Sequence, residues 1–404
     1  MTDLLAALRE VFPPTPLQRN AHLSARYGAE IWLKREDLTP VRSYKIRGAM
    51  AAMRRLAADP AAPDRVVCAS AGNHAQGVAY TCAATGIAGT IFMPVTTPMQ
   101  KVRKTGIFGA GHVTIELVGD TFDAALAAAR AHCAETGAHF LSPFDDDDVI
   151  AGQGTVAAEI DAQMDGRPDL VVVPVGGGGL SAGMLRHWGA AAPDMRLVEP
   201  DTAASLAAAL AAGAPVTLPS ISSFVDGAAV ARIGDRPFAT LVAVDPAHVL
   251  AVPEDRLCDT MTEMLDLEGI VLEPAGALSV DALRDLDVAG RRVVCVTTGG
   301  NFDFERLPEV KERAARWAGT KRYYLLRLPQ RPGALRDFLA LLGPDDDIAR
   351  FEYLKKSARN FGTVLIGIES SAPGHLDALA ARVEAAGFLW RDITADRVLA
   401  ELVV

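Results

Sequence analysis

Leu170-Val171-Val172-Val173-Pro174-Val175 is apolar throughout and runs straight into four consecutive glycines, Gly176-Gly177-Gly178-Gly179, after which a helix-like stretch covers 180–188. Few architectures accommodate that order. An unbroken apolar run of this length, bounded by a turn, reads as a strand buried on both faces, the kind found in parallel sheets covered by helices. The same order recurs at 66–69, which leads through Ser70-Ala71-Gly72-Asn73-His74-Ala75-Gln76-Gly77 into a helix pattern over 75–85. It recurs again at 293–297, which ends on Thr298-Gly299-Gly300-Asn301. Shorter strand patterns lie at 31–33, 90–93, 113–117 and 196–198, with helix patterns at 44–58, 122–136 and 156–164. The expected fold is α/β, with mostly parallel sheets covered on both sides. Such sheets take ligands beyond the carboxyl ends of their strands, so the three Gly-rich turns are expected to face one cleft.

The chain has 404 residues with a formal charge of −10, which suits roughly two to four structural units and argues against nucleic acid or an anionic membrane as partner. A local basic pocket remains compatible with that charge. Asp3, Arg9 and Glu10 near the start interrupt any secretory pattern, and no apolar segment has the length needed to cross a bilayer. The alanine-rich stretches at 124–131 and 203–213 are read as buried amphipathic helices. Five cysteines, Cys68, Cys82, Cys133, Cys258 and Cys295, form no CxxC pair, which leaves no structural zinc signature and fits a reducing, cytoplasmic setting. No residue is assigned to a metal. Glu199-Pro200 and Val225-Asp226-Gly227 are acidic turns that scattered carboxylates alone do not make into a cation site. The acidic run Asp145-Asp146-Asp147-Asp148 reads as a solvated helix entry or cap.

Near 311–322 the pattern changes to a charged helix and then restarts. Strand (323–328), helix (334–342), two strands (348–355 and 363–369), helix (375–386) and a final strand (390–394) make a βαββαβ unit of about 80 residues. The expected division is 1–321, a region of two α/β subdomains, and 322–404. The second part lacks acid–base or nucleophile clusters, which points to ligand sensing or assembly; a purely structural appendage is the alternative.

Lys45 opens a helix pattern in Ser43-Tyr44-Lys45-Ile46-Arg47-Gly48. Taken alone it is one of 40 lysines and arginines and reads as a surface side chain. Three other segments supply what a lysine-linked aldehyde cofactor needs. Asn73 sits at a strand end where its amide can reach a ligand, or else caps the helix that follows. Gly176-Gly177-Gly178-Gly179 let successive backbone amides approach a phosphate at a helix start, or else form a generic tight turn. Thr298 offers a hydroxyl to a ring nitrogen, or else bonds within its own turn. His74 is given no catalytic role.

In this order the motifs resemble the fold-type-II pyridoxal-phosphate enzymes, the tryptophan-synthase-β-like superfamily, and within it the biosynthetic threonine ammonia-lyases. The resemblance rests on Ser43-Tyr44-Lys45-Ile46-Arg47-Gly48, Ser70-Ala71-Gly72-Asn73-His74-Ala75-Gln76-Gly77, the four glycines, Glu273-Pro274-Ala275-Gly276-Ala277 and Thr298-Gly299-Gly300-Asn301, and it covers nearly the whole chain. It implies that Lys45 carries pyridoxal 5′-phosphate as a Schiff base, that Asn73 contacts the cofactor's 3′-oxygen and that Gly176-Gly177-Gly178-Gly179 cradle its phosphate. Ser70, Ala71, Gly72 and Asn73 then hold the substrate carboxylate. Thr298 takes the ring-nitrogen position, where relatives normally carry serine or cysteine; the hydroxyl is retained.

The implied reaction is β-elimination from L-threonine to 2-oxobutanoate and ammonia, the first step of isoleucine biosynthesis, with Lys45 removing the α-proton. L-Serine ammonia-lyase and serine or threonine racemase are the alternatives on the same fold. Racemases place a second base two residues before the asparagine; here that residue is Ala71, which holds no ionisable proton. The C-terminal unit resembles a single ACT-like regulatory domain, with Arg331-Pro332-Gly333-Ala334-Leu335-Arg336-Asp337-Phe338 as its ligand-facing turn. That implies isoleucine as allosteric inhibitor, valine as an opposing effector, and a homo-oligomer, a tetramer ahead of a dimer.

Overall fold

The structure is a computed structural model that describes residues 1–354 and 360–396. It divides into two compact units, Met1–Glu254 with Leu267–Phe302, and Asp255–Asp266 with Asp303–Val404.

In the first unit the strands are β1 (Leu17–Arg19), β2 (Glu30–Arg35), β3 (Arg65–Ala69), β4 (Ala88–Met93), β5 (Val113–Leu117), β6 (His139–Phe140), β7 (Leu170–Pro174), β8 (Asp194–Pro200), β9 (Val249–Val252) and β10 (Arg292–Thr297). They form two sheets. The larger has the order β1-β2-β10-β7-β8-β9 and is parallel except for β1, which runs antiparallel along β2. The smaller, β5-β4-β3-β6, is wholly parallel. Every residue of β7 is buried, as an unalternating apolar strand under two helical layers must be. Two cores result. One joins Val171, Val173, Leu197, Val294 and Val296 to Ile150, Val156, Ile160 and Trp188; the other joins Val66, Cys68, Ile91 and Met93 to Met53, Val78 and Cys82.

Helix limits follow local chemistry. Phe122–Thr136 starts where the Thr121 side chain accepts from Ala124 N and stops at left-handed Gly137. Asn73–Thr85 likewise ends on left-handed Gly86. The acidic run behaves as a helix entry: Asp146 caps Asp147–Gln153 by accepting from Val149 N, while Asp147 pairs with Arg186 and Arg236. Both alanine-rich stretches fall in helices, Phe122–Thr136 and Ser205–Ala212, but the first buries only Ala125 and Ala129 and is otherwise a surface helix rather than a buried one. Three short strands escape a periodicity reading, namely β1, β6 and β9, which have two to four residues each.

The second unit carries β11 (Lys321–Pro329), helix Ala334–Leu339, β12 (Asp346–Leu354), β13 (Phe361–Ser370), helix Pro373–Ala385 and β14 (Leu389–Asp392). The strands form an antiparallel sheet of order β12-β13-β11-β14, and the βαββαβ sequence is the ACT-like arrangement. Leu326, Phe338, Val364, Ile366, Leu376 and Leu379 fill its core, and Tyr324 stacks on Trp390 with ring centroids 4.0 Å apart. This unit begins upstream of residue 322. Lys321 Nζ reaches Glu312 at 2.5 Å and Glu369 at 2.7 Å, tying helix Leu307–Trp317 to the sheet, and Arg313 and Arg316 of that helix pair with Asp255.

Candidate active site

Because β2, β10 and β7 are parallel neighbours, the loops leaving their carboxyl ends lie side by side, and these loops carry Lys45, Thr298 and the four glycines. Thr39 shapes the first: its hydroxyl donates to Ser43 O at 2.8 Å and accepts from Ser43 N at 2.9 Å. Ser43 bridges Gly299, Tyr44 N donates to Thr298 O at 3.2 Å and Gly300 N to Arg42 O at 2.9 Å. The start of helix Lys45–Ala57 is thus clamped to the turn after β10.

Two residues into that helix, Arg47 is fully buried and holds it from below. Its guanidinium donates to both carboxylate oxygens of Glu36, at 2.7 and 2.8 Å, and both of Glu159, at 2.8 Å each. Lys34 Nζ adds a 2.5 Å bond to Glu159, and Arg9 reaches the same carboxylate. Burial pushes the Glu159 carboxyl up, but Arg47 and then Lys34 outweigh it and hold it well below the usual carboxylate range.

Lys45 Nζ donates to Pro143 O at 2.9 Å and lies 5.2 Å from the Tyr44 ring centroid. Burial lowers its pKa to about 8, against an opposing pull from Glu273. The residue after Pro143 joins the amine to the glycines. A Cβ at Gly177 would sit 2.2 Å from the Phe144 ring, and one at Gly179 would be 3.1 Å from Phe144 Cα. Gly178 has φ +86°, and a Cβ on Gly176 would be 3.1 Å from Ala228 Cα. Packing therefore demands glycine here independently of any ligand. Gly178 is the N-cap of helix Gly179–Trp188 and gives it no side-chain cap, so the first N–H groups lack intrahelical partners.

The turn after β3 reaches the same place. Gly72, not Asn73, is the N-cap of its helix, which leaves the Asn73 amide for tertiary partners. Asn73 Nδ2 donates to Glu273 Oε1 at 2.6 Å, and its Oδ1 accepts from Asn301 Nδ2 at 2.7 Å. Ser70, Ala71 and Gly72 are half-buried beside it, and a Cβ on Gly72 would meet nothing within 4 Å. Thr298 is buried and its hydroxyl donates to Ala275 O at 3.2 Å, a bond to the neighbouring Glu273-Pro274-Ala275 turn. Lys45, Asn73, Thr298 and the glycines thus lie in one neighbourhood, linked through Pro143-Phe144 on one side and Glu273-Pro274-Ala275 on the other. His74 packs away from it, Nε2 within 3.0 Å of Leu141 O, with burial and then Lys45 pushing its pKa down to about 3.

Sequence reasoning missed Glu273 as a site residue, along with Asn301 and Phe144. Glu273 is buried, and burial followed by Asp226 raises its carboxyl to about 8. The signal was partly present, since Glu-Pro marks a helix start, but nothing in that dipeptide announces burial. Phe144 sits in Ser142-Pro143-Phe144-Asp145, which carries no such mark. The two acidic turns are otherwise engaged. Glu199 accepts from Leu206 N at 2.7 Å and Ala207 N at 3.0 Å, and Asp226 pairs with Lys101 at 2.7 Å. Among the described residues no group of three or more His, Cys, Asp or Glu is placed to hold a metal, and no helix is long and apolar enough to cross a membrane.

Residues 8–299 match the model of the family described as pyridoxal-phosphate dependent enzyme. The chain belongs to that family. Residues 312–403 match a second model, the C-terminal regulatory domain of threonine dehydratase. This pyridoxal-phosphate enzyme is 46% identical over 403 residues to the biosynthetic L-threonine dehydratase IlvA of Bacillus subtilis, covering 98% of this chain and 95% of that one. It is 47% identical over 388 residues to its counterpart in Corynebacterium glutamicum, covering 94% and 88%. Among solved structures, processed threonine deaminase isoform 2 of Solanum lycopersicum superposes with a TM-score of 0.72 at 35% identity, over 78% of this chain and 87% of that one. Maize serine racemase gives 0.69 at 27%, over 77% and 95%.

The residues present fit the family's cofactor. An uncapped helix start behind four glycines could hold a phosphate, Lys45 offers a near-neutral amine, and the buried hydroxyls of Ser43 and Ser181, which flank the lysine and the glycines, have no hydrogen-bond partner.

Proposed function

We infer that the chain is an L-threonine ammonia-lyase, forming 2-oxobutanoate and ammonia at the first step of isoleucine biosynthesis. The observation that carries the reaction is the placement of Lys45 at the head of a clamped helix, its Nζ donating to Pro143 O beside Phe144, the residue packed on the glycine turn. The substrate comes from the relatives, biosynthetic L-threonine dehydratases 46% identical across 98% of the chain.

Pyridoxal phosphate, when bound, supplies an electron sink for charge at the substrate α-carbon. The protein's part is to position and to move protons. Gly176, Gly177, Gly178 and Gly179 would cradle the phosphate with their backbone N–H groups, Asn73 would hold the 3′-oxygen and Thr298 would offer its hydroxyl to the ring nitrogen. Ser70, Ala71, Gly72 and Asn73 receive the substrate carboxylate. Lys45 Nζ, set free when the substrate amine takes its place, would take the proton from the α-carbon; the C–H electron pair then forms the Cα–Cβ double bond as the β-hydroxyl leaves with a proton as water, and tautomerisation and hydrolysis of the released enamine give 2-oxobutanoate and ammonia. Return of a proton to the opposite face needs a second base, and Ala71 has none to offer, which favours elimination over racemisation.

Lys45→Ala should lose the absorbance near the visible edge that marks the cofactor–lysine linkage, and turnover should fall by about 10²–10⁴-fold. A variant with wild-type absorbance and turnover sinks the assignment. The threonine methyl is worth only roughly 1–3 kcal/mol of discrimination in a pocket, so rates on L-threonine and L-serine must be compared directly. A much larger kcat/KM for L-serine would make the chain a serine ammonia-lyase.

The match to the regulatory-domain family supports a small-molecule effector for the C-terminal unit. Residues 322–404 receive isoleucine at the turn 331–338, where Gly333 at φ +83° precedes helix Ala334–Leu339. Isoleucine inhibits, valine opposes it, and the enzyme works as a homotetramer in the cytoplasm.

A further inference from the structure

The Asn73 side chain is the middle of a hydrogen-bond chain drawn from four segments far apart in sequence. Lys104 Nζ donates to Asn301 Oδ1, Asn301 Nδ2 donates to Asn73 Oδ1 at 2.7 Å, and Asn73 Nδ2 donates to Glu273 Oε1 at 2.6 Å. The second Asn301 amide hydrogen goes to Val41 O at 2.8 Å.

This chain has a direction that follows from its ends. An ammonium group has donors only, so Lys104 requires the oxygen of Asn301. The Asn301 nitrogen is then turned to Val41 O and to Asn73. Facing a donor, Asn73 must present Oδ1, and its NH₂ is left for Glu273. Rotating the Asn301 amide by half a turn would set N–H against the Lys104 ammonium, and rotating the Asn73 amide would set N–H against N–H at its joint with Asn301. Glu273 closes the far end from a fixed position. It is the N-cap of helix Pro274–Asp281, its backbone N donates to Gly299 O at 3.2 Å, and its Oε1 fills the space where a Cβ on Gly299 would come within 2.2 Å. Gly227 approaches the same oxygen, 3.4 Å from where its Cβ would be. The charged groups acting on this carboxyl are Asp226, Lys101, Lys45 and Lys104.

An amide nitrogen carries two hydrogens, and Glu273 takes one. We propose that Lys104, Asn301 and Glu273 are positioning residues that lock the Asn73 amide with its nitrogen toward the cleft, so that Asn73 can only donate to the cofactor's oxygen. The proposal rests on the assignment of Asn73 to that oxygen given above. Its consequence is electronic as well as geometric. A fixed donor favours the negatively charged form of the oxygen it touches, whereas a freely flipping amide would donate or accept indifferently.

The test is uptake of pyridoxal phosphate by apoprotein, followed by absorbance, in wild type, Glu273→Met, Glu273→Gln, Lys104→Met and the Glu273→Met/Lys104→Met double variant. Methionine removes the acceptor at similar volume, whereas glutamine can still turn an oxygen to Asn73. Glu273→Met and Lys104→Met should each weaken binding by about tenfold, the worth of one hydrogen bond. The double variant should fall well short of the product, because both act on one amide. Glu273→Gln should stay within about threefold of wild type. The pH midpoint of the bound cofactor's visible band should rise by about one unit in the methionine variants, a shift that loss of packing alone does not produce. Wild-type affinity in Lys104→Met, or Glu273→Gln binding as weakly as Glu273→Met, overturns the relay; the first outcome is readable even where Glu273→Met fails to fold. If Lys45→Ala loses the visible band while both methionine variants bind like wild type, the relay alone fails. If wild-type apoprotein takes up no pyridoxal phosphate, the cofactor assignment fails with it.

Discussion

Lys45 and Glu273 are displaced toward each other along the pH axis, and burial is the largest cause for both. The amine falls from 10.5 and the carboxyl rises from 4.5, each to about 8. In the apoprotein this has opposite consequences on the two sides of that value. Between 4.5 and 8 folded Glu273 keeps a proton that the unfolded chain has lost, so stability falls as pH rises. Between 8 and 10.5 the unfolded chain keeps a Lys45 proton that the folded protein has released, so stability rises with pH. The pair therefore contributes a minimum near pH 8. Glu273→Gln should remove the decline below it and Lys45→Met the recovery above it, read from urea unfolding of apoprotein across pH 5–10. Profiles of both variants parallel to wild type would show that neither group titrates as its burial implies. A different steric argument applies at Gly177, where alanine would place a methyl 2.2 Å from Cγ and Cδ1 of the Phe144 ring. Gly177→Ala should cost about 1–3 kcal/mol in the same unfolding measurement, the range for overpacking.

At the scale of elements, the helix that carries Lys45 is held by charges rather than by its apolar face alone. Arg47, Lys34 and Arg9 converge on Glu159 while Arg47 also spans Glu36. Removing one partner from such a buried cluster leaves uncompensated charge, so Glu159→Ala should destabilise the protein by roughly 3–5 kcal/mol. Replacement of a surface partner such as Glu10, exposed in its pair with Arg54, should cost less than about 1 kcal/mol. Equal effects in denaturant titrations would remove the cluster from any structural role. This cluster also marks the limit of what the sequence disclosed. Strands β3, β7 and β10, the turns that follow them and the helices at 73–85 and 179–188 were legible because burial on two faces and glycine chemistry are local signals. The βαββαβ order was legible for the same reason. Arg47 looked like one more cation in a helix, and Glu273 like a helix-start acid, because their partners lie 112 and 200 residues away. Pairings at such separations are decided by how the sheets stack, which no local window contains. Even Asn73 was read only in part, since its role as cap passes to Gly72 and its amide is engaged by two distant loops.

For the whole molecule, the question is how an effector on the C-terminal unit changes events at Lys45. Binding there alters activity only if isoleucine prefers one of two conformations that differ in their affinity for threonine. Linkage then fixes a second quantity. If saturating isoleucine weakens threonine binding by some factor, saturating threonine must weaken isoleucine binding by that same factor. Couplings of this kind are typically about 1–3 kcal/mol, or roughly 5–150-fold. Full-length protein with a Lys45→Ala substitution allows both arms to be measured without turnover, by calorimetric titration of isoleucine with and without threonine and of threonine with and without isoleucine. The wild-type enzyme supplies the kinetic counterpart, threonine saturation curves at increasing isoleucine. Equal factors in the two binding arms, with a rise in the threonine concentration needed for half-maximal rate, are the expected outcome. Truncation at residue 322 leaves helix Leu307–Trp317 without the Glu369 side of its Lys321 bridge, so the shortened chain should lose isoleucine response together with some stability. Isoleucine that binds the full chain yet leaves threonine affinity and rate unchanged would reduce the C-terminal unit to a structural or assembly role.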